Sequence, residues 1–154
     1  MTYLAFKSIH ILGVVLFLGN IIITGFWKFY ADANARPEVV GFAQRLVTLT
    51  DWMFTAGGIA LILIGGYGMA HVAELSVSET PWIRHGLTLF ITSGDIWAAV
   101  LIPIQIVQAR IARSFENGGE VPPRYWRLSR HWLIWGAVAT ILPLINLYVM
   151  VLKV

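Results

Sequence analysis

Four apolar stretches, each long enough to cross a membrane as a helix, constrain this chain more than any other feature. They cover about residues 4–27, 52–71, 83–107 and 132–151. The hydrocarbon core of a bilayer requires about 20 residues of helix, and a spanning segment must satisfy its own backbone hydrogen bonds. We therefore predict an all-α fold, an integral membrane four-helix bundle, formed by one transmembrane domain over residues 1–154.

The composition excludes several other classes of protein. Hydrophobic residues make up 58% of the chain and charged residues 12%, whereas soluble domains have roughly 45–50% and about 25%. A disordered chain, a nucleic-acid binder and an ordinary cytosolic enzyme are incompatible with these values. The chain has no cysteine, which rules out disulfides, iron–sulfur clusters and thiolate metal sites.

Two polar segments connect the spans on one side and give the bundle its expected orientation. Residues 38–50 are amphipathic, so they either lie at the membrane surface or extend the second helix, and residues 110–130 form a polar loop. Because basic residues favour the cytoplasmic side, we expect both termini to lie outside a bacterial inner membrane, in a multi-pass protein. Eight of the eleven Lys and Arg residues belong to these connections: Lys28, Arg36, Arg45, Arg110, Arg113, Arg124, Arg127 and Arg130.

One carboxylate, Asp95, falls near the midpoint of the third span. An acid at that depth costs roughly 2.5–3.5 kcal/mol, so it is either functional or neutralised by structural hydrogen bonds. Thr24, Asn20 and Asn146 are the intramembrane polar side chains that we consider as partners across the bundle.

Three of the four histidines gather in the half of the membrane that we expect to face outward. His10, His71 and His85 lie at similar levels, and imidazole is the commonest metal ligand. Haem, held by one or two axial histidines, suits a cysteine-free helical bundle better than zinc, which requires four ligands. The alternative is that each histidine is a hydrogen-bonded packing residue. Lys7 shares a helix face with His10 and either holds a haem propionate or a lipid phosphate, or extends to the interface.

The second span is rich in glycine. The spacing of these residues places most of them on one face, where small residues let a neighbouring helix approach closely. The same flat face also suits a porphyrin or quinone ring. The glycines are Gly57, Gly58, Gly65, Gly66 and Gly68.

Two parts of the chain resemble known families. The opening FKSIHILGVVLFLGN resembles the first helix of HemJ-type protoporphyrinogen oxidases and, more loosely, of CopD-like copper-resistance membrane proteins. The segments DWMFTAGGIALILIGGYGMA and PPRYWRLSRHWLIWGAVATILPLINLYVMVLKV are similar to a bacterial integral membrane family without an assigned function, domain of unknown function 2269. The similarity to that family extends over nearly the whole chain.

The HemJ resemblance implies a membrane helical bundle that binds b-type haem through the histidine of its first helix, here His10 with Lys7 beside it. That family also has a lysine after a tryptophan early in its third helix. Here Trp82 is followed by Ile83, Arg84 and His85, so the resemblance implies haem binding without supporting the oxidase activity. We consider His85 for the second axial position, which is not part of the family's pattern.

Three hypotheses follow from the sequence. The first is an inner-membrane protein that binds haem b through His10, with an electron-transfer or redox role toward a quinone or tetrapyrrole. The second is a cofactor-free structural or accessory subunit of a membrane complex. The third is a small metal or solute permease with Asp95 in its path, which would require a homodimer or larger assembly to enclose that path. All three place the chain in a lipid bilayer, and none involves nucleic acid.

Overall fold

A computed structural model describes residues 2–154, and all of its regular elements are helical. Four long helices follow one another along the chain. They are α1 (Tyr3–Asn34), α2 (Pro37–Val72), α3 (Pro81–Ala112) and α4 (Pro123–Leu152). Each is long enough and apolar enough to cross a membrane, which confirms the all-α fold and the predicted number of candidate spans.

Local sequence signals explain where the helices begin and end. The Thr2 hydroxyl accepts a hydrogen bond from the Ala5 amide and caps α1. A proline occupies the first position of α2, α3 and α4, where its missing N–H costs nothing and its fixed φ suits a helix. Gly118 and Gly119 adopt positive φ values of 110° and 128° in the connection between α3 and α4.

The amphipathic segment 38–50 belongs to α2, which continues through it from Pro37. The 36 residues of α2 correspond to about 54 Å of helix, well beyond the roughly 30 Å of hydrocarbon. The segment therefore extends the second helix, as one of the two alternatives proposed. Both α2 and α3 contain a π-helical turn near the middle, at Asp51–Ala56 and Trp97–Leu101.

The helices pack differently in the two halves of the bundle. We call the half with both chain termini the terminal half, and the half with the basic connections 35–36 and 113–122 the basic half. In the terminal half α1 packs on α2 and α3 packs on α4, whereas the backbones of residues 57–72 of α2 and 81–96 of α3 stay more than 8 Å apart between Cα atoms. In the basic half residues 37–50 and 102–112 pack together and close the bundle.

Burial follows the same division. Many large apolar side chains are exposed on the outside of the bundle, as expected for helices that face lipid. Two buried apolar clusters lie in the basic half and centre: Val40, Ala112, Phe115 and Tyr125 in one, and Val47, Leu101, Trp132 and Ala139 in the other. The terminal half has a gap between its two helix pairs, and a cavity lies in that gap.

Candidate functional site

The cavity between the two helix pairs of the terminal half has a volume of about 180 Å³ and is partly open. Residues of all four helices form its walls, which are predominantly apolar. They include Val14, Phe17, Leu63, Tyr67, Phe90 and Met150. A concave apolar site with few polar groups is the usual form of a cofactor or small-molecule site.

His10 is the histidine that lines this cavity. Its ring Nδ1 lies 2.8 Å from the carbonyl oxygen of Ile62 on α2. Because a carbonyl oxygen only accepts, Nδ1 carries a proton and donates, so in the neutral imidazole the Nε2 lone pair is free. The same Nδ1-to-carbonyl hydrogen bond commonly orients histidines that ligate metals through Nε2.

The glycines of α2 make this position of His10 possible. A Cβ atom at Gly65 would lie 2.5 Å from the His10 backbone nitrogen, and one at Gly58 would lie 2.9 Å from the Phe17 backbone nitrogen. A Cβ at Gly66 would lie 3.4 Å from the imidazole Nδ1. The predicted packing role of the glycine seam is therefore confirmed, and part of that seam also faces the imidazole.

Asn146 on α4 is the second polar side chain of the cavity. Its side-chain oxygen is buried and has no hydrogen-bond partner among residues 2–154. Gly86 on α3 allows α4 to approach, because a Cβ there would lie 2.6 Å from that oxygen. Two acceptors, His10 Nε2 and Asn146 Oδ1, thus belong to one apolar cavity.

The other predicted site residues do not line this cavity. Lys7, His71 and His85 are exposed. Within residues 2–154, no three His, Asp or Glu side chains come together as a metal site. Of the four cofactor-binding candidates, the structure places His10 alone against the cavity.

Asp95 also lies away from the interior. Its side chain is exposed on α3 and lines a second, partly open pocket beside Gly94 and Trp97, which shares Phe17 and Phe90 with the cavity that His10 lines. It makes no hydrogen bond with Thr24, Asn20 or Asn146, and Asn20 instead bonds elsewhere.

The buried acid near the middle of the bundle is Asp51, on the π-helical turn of α2. Asn20 Nδ2 donates to Asp51 Oδ1 over 3.1 Å and to the Thr55 hydroxyl over 2.9 Å. The Thr55 hydroxyl donates to the same carboxylate oxygen over 3.1 Å. The side chains of Trp97 and Gln105 on α3 approach this carboxyl as well.

A second polar cluster surrounds Lys28, whose side chain is 0% exposed. Lys28 Nζ donates to the Tyr125 hydroxyl over 3.0 Å and pairs with Asp32 at 3.4 Å. The Tyr125 hydroxyl donates to the Gln44 side-chain oxygen over 3.1 Å, and the Ser129 hydroxyl donates to Asp32. This cluster ties α1, α2 and α4 together in the basic half.

Sequence reasoning missed both polar clusters. It counted Lys28 among the residues of the basic connections, and it did not single out Tyr125 or Asp51. The available signal was the four-residue spacing of Asn20, Thr24, Lys28 and Asp32, which places one polar row along a single face of α1.

The four apolar helices, their lipid-facing exterior and their polar interior define a multi-pass integral membrane protein. Residues 4–154 match the family described as "Predicted integral membrane protein (DUF2269)", and the chain belongs to that family. The same comparison gives no support for the resemblance to HemJ-type or CopD-like proteins. No curated protein and no solved structure matches the chain.

Proposed function

We propose that this membrane protein binds haem b in the terminal cavity, with His10 Nε2 as an axial ligand. The observation that supports this proposal is the hydrogen bond from His10 Nδ1 to the Ile62 carbonyl oxygen. That bond fixes the tautomer and the orientation of the ring and leaves one nitrogen available for iron. Haem iron accepts a single protein histidine as its proximal ligand, so a lone histidine is sufficient.

The walls of the cavity suit a flat apolar ring. Gly66 faces the imidazole without a side chain, and Phe17 and Phe90 form an edge-to-face pair with ring centroids 5.8 Å apart in the wall. The cavity volume of about 180 Å³ is smaller than the roughly 300–1,000 Å³ of typical ligand sites. Binding therefore requires the gap between α2 and α3 to widen, and this costs few contacts because their terminal halves do not pack together.

The role that follows is electron transfer, or a redox step with a quinone or tetrapyrrole, in the bacterial inner membrane. Lys7 lies one helical turn before His10 on the same face of α1. Its exposed ammonium group is available to a haem propionate at the membrane surface. His85 and His71 remain the proposed candidates for a second axial ligand, which they would reach only if the helix pairs moved.

A second candidate ligand, a quinol, is favoured by the two acceptors in the cavity. His10 Nε2 and Asn146 Oδ1 have no donor partner in the structure, and a quinol carries two hydroxyl donors. In this case His10 would accept a hydrogen bond instead of ligating iron.

The test is an absorption spectrum of the detergent-purified protein, before and after dithionite reduction. We expect a Soret band that shifts on reduction, with the haem content lost in His10→Ala. His71→Ala is the matched control, because His71 is an exposed histidine of α2 outside the cavity, and it should retain the haem if His10 is the essential ligand.

Full haem content in His10→Ala would reject His10 as the ligand. A featureless spectrum after haem is added back would reject haem binding and favour the cofactor-free accessory subunit. Extraction of a quinone from wild-type protein, with loss of that quinone in both His10→Ala and Asn146→Leu, would favour the second candidate.

A further inference from the structure

We propose that Asp51 is a proton-exchanging carboxyl at the inner end of a polar pathway that runs through the basic half of the bundle. This pathway is separate from the terminal cavity. It does not depend on whether haem binds there.

The position of Asp51 is the first observation. The residue is 6% exposed and lies near the middle of α2, where a π-helical turn alters the helix. Such turns are frequent at functional sites, and intramembrane carboxyls mark ion or proton paths. No Lys, Arg or His within residues 2–154 forms an ion pair with Asp51.

The charged groups nearest along the bundle are already engaged or face away. On α1, Lys28 pairs with Asp32. On α2, Arg45 pairs with Glu116 of the connection after α3. On α3, the Asp95 side chain is exposed. On α4, the neutral Tyr125 hydroxyl accepts a hydrogen bond from Lys28. A proton is therefore the simplest neutralising partner for this carboxyl.

The groups around Asp51 argue against a bound metal ion. Asn20 donates through its amide N–H and Thr55 through its hydroxyl, both to Oδ1. The indole side chain of Trp97, whose nitrogen is a donor only, approaches the same carboxyl. A bound cation needs several oxygen acceptors, whereas this shell is rich in donors.

A row of polar side chains connects Asp51 with the basic end. Asn20, Thr24, Lys28 and Asp32 repeat every four residues along α1, a distance of about 18 Å from first to last. The Asp32 side chain is 10% exposed and lies at the surface end of this row. Thr24 continues the row by donating to the Asn20 backbone carbonyl over 2.7 Å.

Unpartnered polar atoms on α2, α3 and α4 in the basic half indicate that water continues the pathway there. Gln108 is 0% exposed, and neither its side-chain oxygen nor its nitrogen has a partner. The Gln44 nitrogen, the Gln105 oxygen and the Trp132 indole nitrogen are also buried and unpaired. Buried polar groups are nearly always hydrogen-bonded, and ordered water commonly supplies the missing partner. A water chain would carry a proton from bulk water at the basic end to a carboxylate oxygen of Asp51, where an O–H bond forms, and release reverses that step.

The first experiment is infrared spectroscopy of the full-length protein in detergent, as a function of pH. We expect a carbonyl-stretch band of a protonated carboxyl that persists at pH values where exposed carboxyls are ionised. This band should disappear in Asp51→Asn and remain in Asp95→Asn, the matched control on the exposed face of α3. Asp51→Glu keeps a carboxyl group, so it should shift the band without abolishing it. This variant tests the assignment even if Asp51→Asn does not fold.

A band that survives in Asp51→Asn, or its absence from the wild type at every pH, would overturn the proposal. Thermal melts in sodium chloride and in choline chloride at equal ionic strength provide a second discriminator. Stabilisation by sodium that requires Asp51 would identify a metal-ion site and would also overturn it. His10→Ala should leave the infrared band unchanged. The experiments can therefore reject the haem proposal and the Asp51 proposal independently of each other.

The pathway itself is tested by the rate at which the Asp51 band responds to a pH jump. Gln108→Leu removes two polar atoms from the water chain, and we expect the response to slow by about tenfold, equivalent to ~1.4 kcal/mol of barrier. Thr92→Val on the exposed side of α3 is the control and should respond at the wild-type rate. An unchanged rate in Gln108→Leu would exclude the proposed route.

Discussion

The two halves of the bundle are held together by different interactions. The basic half is closed and joined by buried polar side chains, among them Lys28, Gln44 and Tyr125. The terminal half has few interior hydrogen bonds and relies on glycines, such as Gly58 and Gly65, that bring α1 and α2 into backbone contact. Lipid is as apolar as leucine, so apolar contact alone gives membrane helices little reason to associate. In this bundle, hydrogen bonds hold the helices together in the basic half, and close backbone approach at glycines holds them together in the terminal half.

This difference separates two kinds of site. A closed polar interior holds charge and water in a fixed arrangement, which suits proton movement. A gap between two loosely joined helix pairs admits a ligand from the membrane. The boundary between them lies near Asn20 and Phe17 on α1, about one turn apart.

The largest predicted effect comes from breaking the buried ion pair of the basic half. Asp32→Ala leaves Lys28 buried without its carboxylate and removes the acceptor of the Ser129 hydroxyl. Losing one partner of a buried ion pair typically costs about 3–5 kcal/mol, so we expect a loss of this size in the free energy of unfolding, measured by denaturant titration in detergent.

The matched control for Asp32→Ala replaces both charges, in Lys28→Met/Asp32→Leu. Removing the pair together leaves no uncompensated charge, so this double variant should be clearly more stable than Asp32→Ala. A single variant as stable as the wild type would show that Lys28 reaches water and that the basic half is not closed.

The next largest effect comes from a substitution at the glycine contacts of the terminal half. Gly65→Ala places a Cβ atom 2.5 Å from the His10 backbone nitrogen, so α1 and α2 must separate, at a cost of about 1–3 kcal/mol. The separation should also weaken the bond from His10 to Ile62 and lower the amount of haem that copurifies, measured by the Soret absorbance per protein.

Gly57→Ala is the control for this prediction, because nothing lies within 4 Å of a Cβ at Gly57. Alanine favours a helix over glycine by roughly 0.5–1 kcal/mol, so this variant should be unchanged or slightly more stable. Equal stability of Gly65→Ala and Gly57→Ala would contradict the close packing of α1 on α2.

The sequence was sufficient for the fold and for the glycine seam, because both depend on patterns local to one helix. Span length predicts four crossings, and the seven-residue spacing from Gly58 to Gly65 predicts one small-residue face. The haem ligand, its second axial partner and the membrane orientation remain predictions.

The buried acid was not predictable in the same way. An apolar stretch predicts the depth of each residue in the membrane to within a few residues. It says little about which face of the helix points inward, because lipid-facing residues are apolar and the interior of this bundle is partly polar. Ser93 is buried, whereas Asp95 lies two residues away, about 200° around the helix. Asp51 sits at the edge of its apolar stretch and was overlooked, since only the packed structure shows that α2 begins at Pro37 and carries that carboxyl into the interior.

The smallest predicted effect sharpens this contrast between the two acids. Asp95→Asn removes a charge from an exposed position with no hydrogen-bond or ion-pair partner in the structure. Asparagine breaks no contact here and avoids the cost of a charge at membrane depth, so the unfolding free energy in detergent should not fall below the wild-type value. A loss above about 1 kcal/mol would mean that a second copy of the chain or another subunit covers Asp95 and supplies its partner. The carboxyl would then be an interior group of an assembly, and the permease hypothesis, which requires such an assembly, would gain its first support.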